Sequence, residues 1–257
     1  VVAQVSLSMD VSGRVAIVTG GTRGLGREIA VALTDAGCRV AVCGRQDRGD
    51  LPAGVAFYPV DVRDPDLARG FVDAVARDFG RLDVLVNNAG GSPHAGALAS
   101  GVRFTESVLR LNLVAPFHLA QAAHPHMAAV GGGSIVNIAS VSGQRPSPDT
   151  AIYGAAKAGL INLTQSLAQE WGPDGIRVNA VIAGLMQTEN AAATYGGEDI
   201  QQRVASSIPL RRMGTGGDIA GAVLWLCSPL SGWVSGARIN VDGGGERPHF
   251  LELLKGH

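Results

Sequence analysis

Tyr153 and Lys157 stand four residues apart in a helix-forming run from about Tyr153 to Trp171. Residues at that spacing lie one above the other on a helical face, so the phenol and the ammonium project to the same side. A free phenol titrates at about 10, which makes it a poor proton donor or acceptor near neutrality. A neighbouring positive charge favours the phenolate and draws that value towards the working range. The chemistry on offer is proton exchange with an oxygen of a small molecule. Helix surfaces carry such pairs without function, so the weight of this one rests on what else the chain holds.

A second cluster opens the chain. Thr19-Gly20-Gly21-Thr22-Arg23-Gly24-Leu25-Gly26 lies between a β-branched run, Arg14 to Thr19, and a helical stretch. At such a turn a parallel sheet presents helix N–H groups to a phosphate. Glycine is needed because a side chain would hold a pyrophosphate off the backbone. Thr22, Arg23 and Leu25 therefore join Gly20, Gly24 and Gly26 as candidate dinucleotide contacts.

The spacing of Gly20, Gly24 and Gly26 departs from G-x-G-x-x-G. It resembles the T-G-x-x-x-G-x-G signature of short-chain dehydrogenases/reductases, in their compact single-domain subtype, and the resemblance runs from about Ser12 to Gly244. Asn87-Asn88-Ala89-Gly90 resembles that family's N-N-A-G. Asn112 falls where the family has its catalytic Asn, Ser140 closes a strand as its catalytic Ser does, and Tyr153 with Lys157 forms its Y-x-x-x-K. The resemblance implies hydride transfer between a nicotinamide C4 and a carbonyl or carbinol carbon. Tyr153 would exchange the proton with the substrate oxygen, and Ser140 would orient that oxygen. Lys157 would lower the Tyr153 pKa and hold the ribose hydroxyls, while Asn112 would anchor a water linking Lys157 to solvent. Asn88, Ala89, Gly90, Tyr153 and Lys157 all count as cofactor contacts on this reading.

An acidic residue roughly 20 positions past the glycines would bind a ribose 2′-hydroxyl and repel a 2′-phosphate. Here Gly44 is followed by Arg45, and Arg23 can point at the same region. Two guanidiniums and no carboxylate suit a phosphate, so the expected cofactor is NADP(H). Asp47 and Asp50 lie close enough to leave NAD(H) open. The resemblance sets Asp61 and Val62 beside the adenine. Asn179 to Gly184 resembles N-x-x-x-P-G with Ala183 in place of the proline, and Gly184 to Thr188 keeps G-x-x-x-T, which brings Thr188 to the nicotinamide carboxamide.

A substrate would lie beyond the carboxyl ends of the strands. The loops there are Gly91 to His94, Val141 to Ile152 and Leu185 to Pro209. The last reads as a partly helical lid hinged at Tyr195-Gly196-Gly197. Ser142, Met186 and Tyr195 are the candidate substrate contacts. Val141, Ile152, Met186 and Tyr195 suggest a substrate with sizeable nonpolar area, with a packing role as the alternative.

The elements that must hold these residues alternate. Strands are expected at Arg14–Thr19, Arg39–Cys43, Val55–Val60, Asp83–Val86, Ser134–Ala139, Ile176–Val181 and Ala237–Val241. Helices are expected at Arg27–Ala36, Asp64–Phe79, Phe104–Ala129 with a bend at Pro116, Tyr153–Trp171 and Asp218–Cys227. That order predicts a Rossmann-type, doubly wound parallel sheet of about seven strands with helices on both faces. Residues 12–245 form one domain, with a lead-in at 1–11 and a tail at 246–257.

Composition agrees. The 257 residues are 46% hydrophobic but only 5% aromatic, so the core must be aliphatic. Basic and acidic residues number 21 and 22, with no basic stripe, which argues against a nucleic-acid partner. No apolar run has the length of a membrane span, and the first residues lack a signal-peptide pattern, so a cytoplasmic location is expected. Cys38, Cys43 and Cys227 are scattered through apolar segments and read as buried thiols. His124-Pro125-His126 reads as an exposed corner at a helix end, and no metal site is assigned. The tail, Phe250-Leu251-Glu252-Leu253-Leu254, is apolar enough to seek a neighbouring subunit, and the resemblance implies a homo-oligomer, a tetramer.

Four other readings bear on the pattern. One is a 3-oxoacyl-thioester reductase. The Gly-Gly-Ser-Pro after Asn88-Ala89 and the Gly-Gly-Gly-Glu-Arg-Pro ending also resemble a branch acting on coenzyme-A-linked steroid-ring fragments. A nucleotide-sensing module without catalysis would have lost the Tyr or the Lys, and both are present. An epimerase or dehydratase relative would need a larger C-terminal domain than this chain has room for.

Overall fold

The computed structural model describes residues 9–189 and 191–247. Seven strands make one sheet: β1 Val15–Thr19, β2 Arg39–Gly44, β3 Ala56–Pro59, β4 Val84–Asn87, β5 Gly133–Ser140, β6 Ile176–Ala183 and β7 Arg238–Val241. Their order is β3-β2-β1-β4-β5-β6-β7, and every neighbouring pair is parallel. The winding reverses between β1 and β4, which opens a crevice at the carboxyl ends of those two strands.

Alternate side chains of each strand enter opposite cores. Ile17, Cys43, Leu85 and Ile135 pack with residues of α2 (Pro65–Phe79), α4 (Ala115–Ala129) and α5 (Ala151–Trp171). Val18, Val42, Val86 and Val136 pack with α1 (Gly24–Asp35) and α8 (Gly216–Cys227). Burial on both faces is why the strands read as unbroken apolar runs.

Capping residues fix where the helices start. Asp64 accepts from the Asp66 and Leu67 N–H groups and Pro65 opens α2, while Gly80 in the left-handed region closes it. Thr215 and Asp218 form a reciprocal capping box at α8. All three cysteines are buried, and burial pushes each thiol up to about 12.

Two expectations change. The single helix expected from Phe104 to Ala129 is three pieces: α3 Val102–Leu109, a π turn Arg110–Val114, and α4. The break falls at Asn112 and not at Pro116, which sits in the first turn of α4 where a missing N–H is harmless. His124-Pro125-His126 lies within α4 and not at an exposed corner. The His124 ring bonds Asp174 at 2.9 Å and the His126 ring bonds Asp73 at 2.7 Å, so each is held by a carboxylate across the surface.

Between β6 and α8, the expected lid contains α6 (Ala191–Tyr195) and α7 (Glu198–Ser207), joined through Gly196 at φ 97°. Among the described residues no helix is long and apolar enough to cross a membrane. The lead-in at 1–8 and the tail residues 248–257 lie outside the described residues.

Candidate active site

The crevice is built first by backbone. The Thr19 hydroxyl accepts from the N–H groups of Asn88 and Ala89 at 3.0 and 2.9 Å, tying the turn after β1 to the loop after β4. Asn88 returns the tie, its amide donating to the Thr19 carbonyl at 2.9 Å. A Cβ on Gly26 would lie 2.3 Å from the Gly20 carbonyl oxygen, so helix α1 can approach the strand end only with glycine there. Gly24, at φ 50°, faces open space, and the Arg23 cap offers no side chain to the N–H groups of α1. Thr22 is buried against Gly44, whose Cβ would meet it at 3.2 Å, and Leu25 packs partly into the core. Free helix N–H groups, a cradle that a Cβ would fill, and open room outside it fit a pyrophosphate.

The second half of the site converges from four elements. Ser140 ends β5, and its Oγ accepts from the Ser142 N–H at 3.2 Å. Tyr153 stands in the first turn of α5, hydrogen-bonded to the Ser140 hydroxyl. Lys157 is one turn on and buried, its Nζ donating to the Ile138 carbonyl at 2.8 Å and lying 5.7 Å from the Tyr153 ring centroid. Asn112 is fully buried in the π turn. Its amide donates to the Gly91 and Val108 carbonyls, and its Oδ1 accepts from the Gly91 N–H, each at 2.9 Å. Gly90 lies where these groups meet: a Cβ there would come within 2.8 Å of Asn112 Oδ1 and 3.1 Å of Lys157 Nζ.

Burial dominates the electrostatics of the pair. Burial raises the Tyr153 phenol above its usual value, opposed by the Ser140 hydrogen bond, with the neighbouring Tyr195 phenol adding to the rise. Lys157, one turn on, is desolvated in its turn, which lowers its ammonium to about 8 while it bonds Ile138. The Asn112 side chain, engaged by Gly91 and Val108, clamps the loop after β4.

The guanidiniums of Arg23 and Arg45 are exposed and donate no hydrogen bond among the described residues, while the Arg45 charge helps hold the Asp61 carboxyl low. Asp47 turns onto the Gly49 N–H at 2.9 Å, and Asp50 lies 3.6 Å from Arg27. Asp61 is held by Arg63, whose guanidinium donates to both carboxylate oxygens and keeps its pKa low, while Val62 is buried in the core. Gly184 passes so close to β7 that a Cβ would lie 2.6 Å from the Asp242 Cα. Thr188 is half-buried, its carbonyl capped by the Ala191 N–H at 2.9 Å. Met186 is buried and donates its N–H to Tyr195 Oη at 3.3 Å, and Ser142 is half-buried beside Ser140.

Two positioning roles escaped the sequence reading. Thr19 opens the glycine turn by its place in the motif, but its tie to the Asn88 loop shows only in its two bonds there. Gly143 gives no sequence signal. A Cβ there would lie 2.7 Å from the Lys157 carbonyl carbon, so its absence lets the turn after Ser140 lie on α5.

A parallel sheet with a phosphate cradle at its switch point and a Ser–Tyr–Lys cluster beside it defines a dinucleotide-binding oxidoreductase fold. Residues 20–246 match the family described as enoyl-(acyl carrier protein) reductase. Nodulation protein G of Azospirillum brasilense is 35% identical over 247 residues, covering 91% of this chain and 98% of that one. The 3-oxoacyl-[acyl-carrier-protein] reductase FabG of Staphylococcus aureus is 35% identical over 239 residues, covering 89% and 96%. The crystal structure of a putative short-chain alcohol dehydrogenase from Sinorhizobium meliloti 1021 superposes with a TM-score of 0.86 at 38% identity, covering 92% of this chain and 97% of that one. The chain belongs to the short-chain dehydrogenase/reductase family.

Proposed function

We propose that this protein transfers a hydride between NADP(H) and a secondary alcohol or ketone, with Tyr153 exchanging the proton. The observation that carries this reading is the convergence of Ser140, Tyr153, Lys157 and Asn112 on one edge of the sheet, beside the glycine turn. A bound nicotinamide dinucleotide supplies or accepts the hydride. Gly20, Gly24 and Gly26 would hold its pyrophosphate, Asn88, Ala89 and Gly90 would line its path, and Gly184 with Thr188 would face its carboxamide.

The chain's own groups handle the proton. Burial keeps the Tyr153 phenol protonated at neutral pH, which suits donation to a substrate oxygen during reduction. Ser140 Oγ, already facing that phenol, would share the oxygen and fix its direction. The Lys157 ammonium is charged below pH about 8 and then favours the phenolate left behind. Asn112 holds the Gly91 backbone so that Gly90 lies against Lys157.

The NADP(H) preference is supported by two exposed guanidiniums, Arg23 and Arg45, at the ribose end. Asp47 and Asp50, the carboxylates that could favour NAD(H), are engaged elsewhere. A 3-oxoacyl thioester is the second reading for the substrate, favoured by the likeness to the Staphylococcus aureus reductase. Assembly as a homotetramer, with the apolar tail at an interface, completes the proposal. Following nicotinamide absorbance over ketones, acyl thioesters and hydroxysteroids, with NADPH and NADH in parallel, tests it. Turnover with higher kcat/KM for NADPH is expected. No turnover in the panel overturns the activity, and an NADH preference overturns the cofactor assignment.

A further inference from the structure

Tyr195 carries a hydroxyl that the proton exchange above does not use. The residue ends α6 and is half-buried, and its Oη accepts from the Met186 N–H at 3.3 Å. A phenol both accepts and donates. The Tyr195 proton has no acceptor among the described residues, so one half of the group is left over for a ligand.

The backbone on both sides of that bond is held. Met186 bridges Gly214, with the Gln187 N–H on the Gly214 carbonyl at 2.7 Å and the Gly214 N–H on the Leu185 carbonyl at 3.0 Å. A Cβ on Gly214 would lie 2.7 Å from Met186 Sδ, so the bridge closes only with glycine there. After Tyr195 the chain turns at Gly196, whose N–H returns to the Ala192 carbonyl at 2.9 Å. The Gly196 carbonyl in turn accepts from the Gln201 amide at 2.9 Å. The phenol is thus delivered by one fixed corner onto another.

That position borders the reacting groups. Ser140 and Ala183 are register partners across β5 and β6, and Met186 follows shortly after the end of β6. Val141, Gly184, Leu185 and Glu246 line one narrow cleft there. The Tyr195 phenol is close enough to Tyr153 to raise it. Burial raises Tyr195 itself, opposed by the Met186 bond and reinforced by Glu246. The charge of that carboxylate selects the kind of oxygen that suits the spot. Glu246 could take the Tyr195 proton, but it is paired with Arg145. A second anion beside it would be repelled, whereas a neutral carbonyl or hydroxyl oxygen accepts a hydrogen bond without that cost.

We propose that Tyr195 is a specificity-determining donor: while the reacting carbonyl lies at Tyr153 and Ser140, the Tyr195 hydroxyl donates to a second, neutral oxygen on the same substrate. The inference rests on the alcohol/ketone reading above and narrows it to ketones with a neighbouring hydroxyl or ester-type carbonyl. A site that hydrogen-bonds such an oxygen discriminates against the analogue lacking it, because its own donor is then left unpaired.

The test sets butanone against hydroxyacetone and ethyl acetoacetate, in the wild type and in Tyr195→Phe, which keeps the ring and its packing. The donor predicts that the ratio of kcat/KM for an oxygen-bearing ketone over butanone falls about tenfold in the variant, through KM. A packing role predicts that all three ketones change together. The ketone that loses more tells whether the second oxygen is a hydroxyl or a carbonyl. Calorimetry on the protein saturated with oxidised dinucleotide, where no hydride is available to a ketone, gives a readout independent of turnover. Hydroxyacetone or ethyl acetoacetate is expected to bind more tightly than butanone, with the difference lost in Tyr195→Phe. Equal binding in the wild type, or a difference that the variant keeps, overturns the donor whether or not any ketone is reduced. Acetoacetate binding more tightly than its ethyl ester overturns the choice of a neutral oxygen. Turnover with the same ratios in wild type and variant leaves the alcohol/ketone reading standing and removes the donor alone.

Discussion

At Tyr153 the decisive quantity is where the proton resides. Burial favours the neutral phenol, so its loss should remove proton delivery without disturbing the dinucleotide cradle. Tyr153→Phe is expected to lower kcat by roughly 10²–10⁴-fold, the usual worth of a positioned acid. NADPH affinity, read by fluorescence titration, should stay close to wild type. Retention of even a tenth of the turnover would remove the phenol from the mechanism. Lys157 allows a thermodynamic check. Its pKa drops from 10.5 to about 8 on folding, so between those values the unfolded chain binds the extra proton and stability rises with pH. Below pH about 8 the buried charge costs stability on the order of 3 kcal/mol. Lys157→Met should therefore gain stability relative to wild type at pH 7, with the advantage shrinking by pH 10 and catalysis lost at both. Urea unfolding at the two values, without added dinucleotide, reads the difference, and a pH-independent gap contradicts the assignment.

Among the elements, the π turn shows what sequence could and could not disclose. Tyr153, Lys157, Ser140 and the glycine turn were legible because each sits at a fixed offset within or at the end of one element. Arg110-Leu111-Asn112-Leu113-Val114 reads locally as plain helix. What the π turn holds together is the bond from Asn112 to Gly91, 21 residues back, and no window along the chain contains both. The same non-locality hid Thr19 and Gly143, whose roles lie in strands and helices distant in sequence. The clamp has a measurable consequence. Removing three hydrogen bonds from a fully buried site leaves Gly91 and Val108 groups without partners, at roughly 2–3 kcal/mol. Asn112→Ala should show that loss in urea unfolding together with lower kcat, because Gly90 and Lys157 lean on the clamped loop. A variant as stable and as active as wild type would mean that the π turn positions nothing.

For the whole molecule, alternation of strand and helix gave the class of fold, and the two-faced apolar runs gave its layers. Assembly lies beyond both, since it depends on which surface a second copy covers. One anchor bears on it: Glu246 pairs with Arg145, fixing the last described residues after β7 to the loop that follows Ser140. Beyond the described residues the sequence continues with Phe250, Leu251, Leu253 and Leu254. Apolar side chains in that number favour burial, and a partner subunit is the surface proposed to supply it. Truncation after Arg247 keeps the Glu246–Arg145 pair, so the domain itself should fold as before. Sedimentation velocity is then expected to show a smaller species than the full chain, with kcat/KM lowered wherever the tail of one copy borders the site of another. A truncated protein that sediments and turns over like the full chain would show that the tail holds no subunits together.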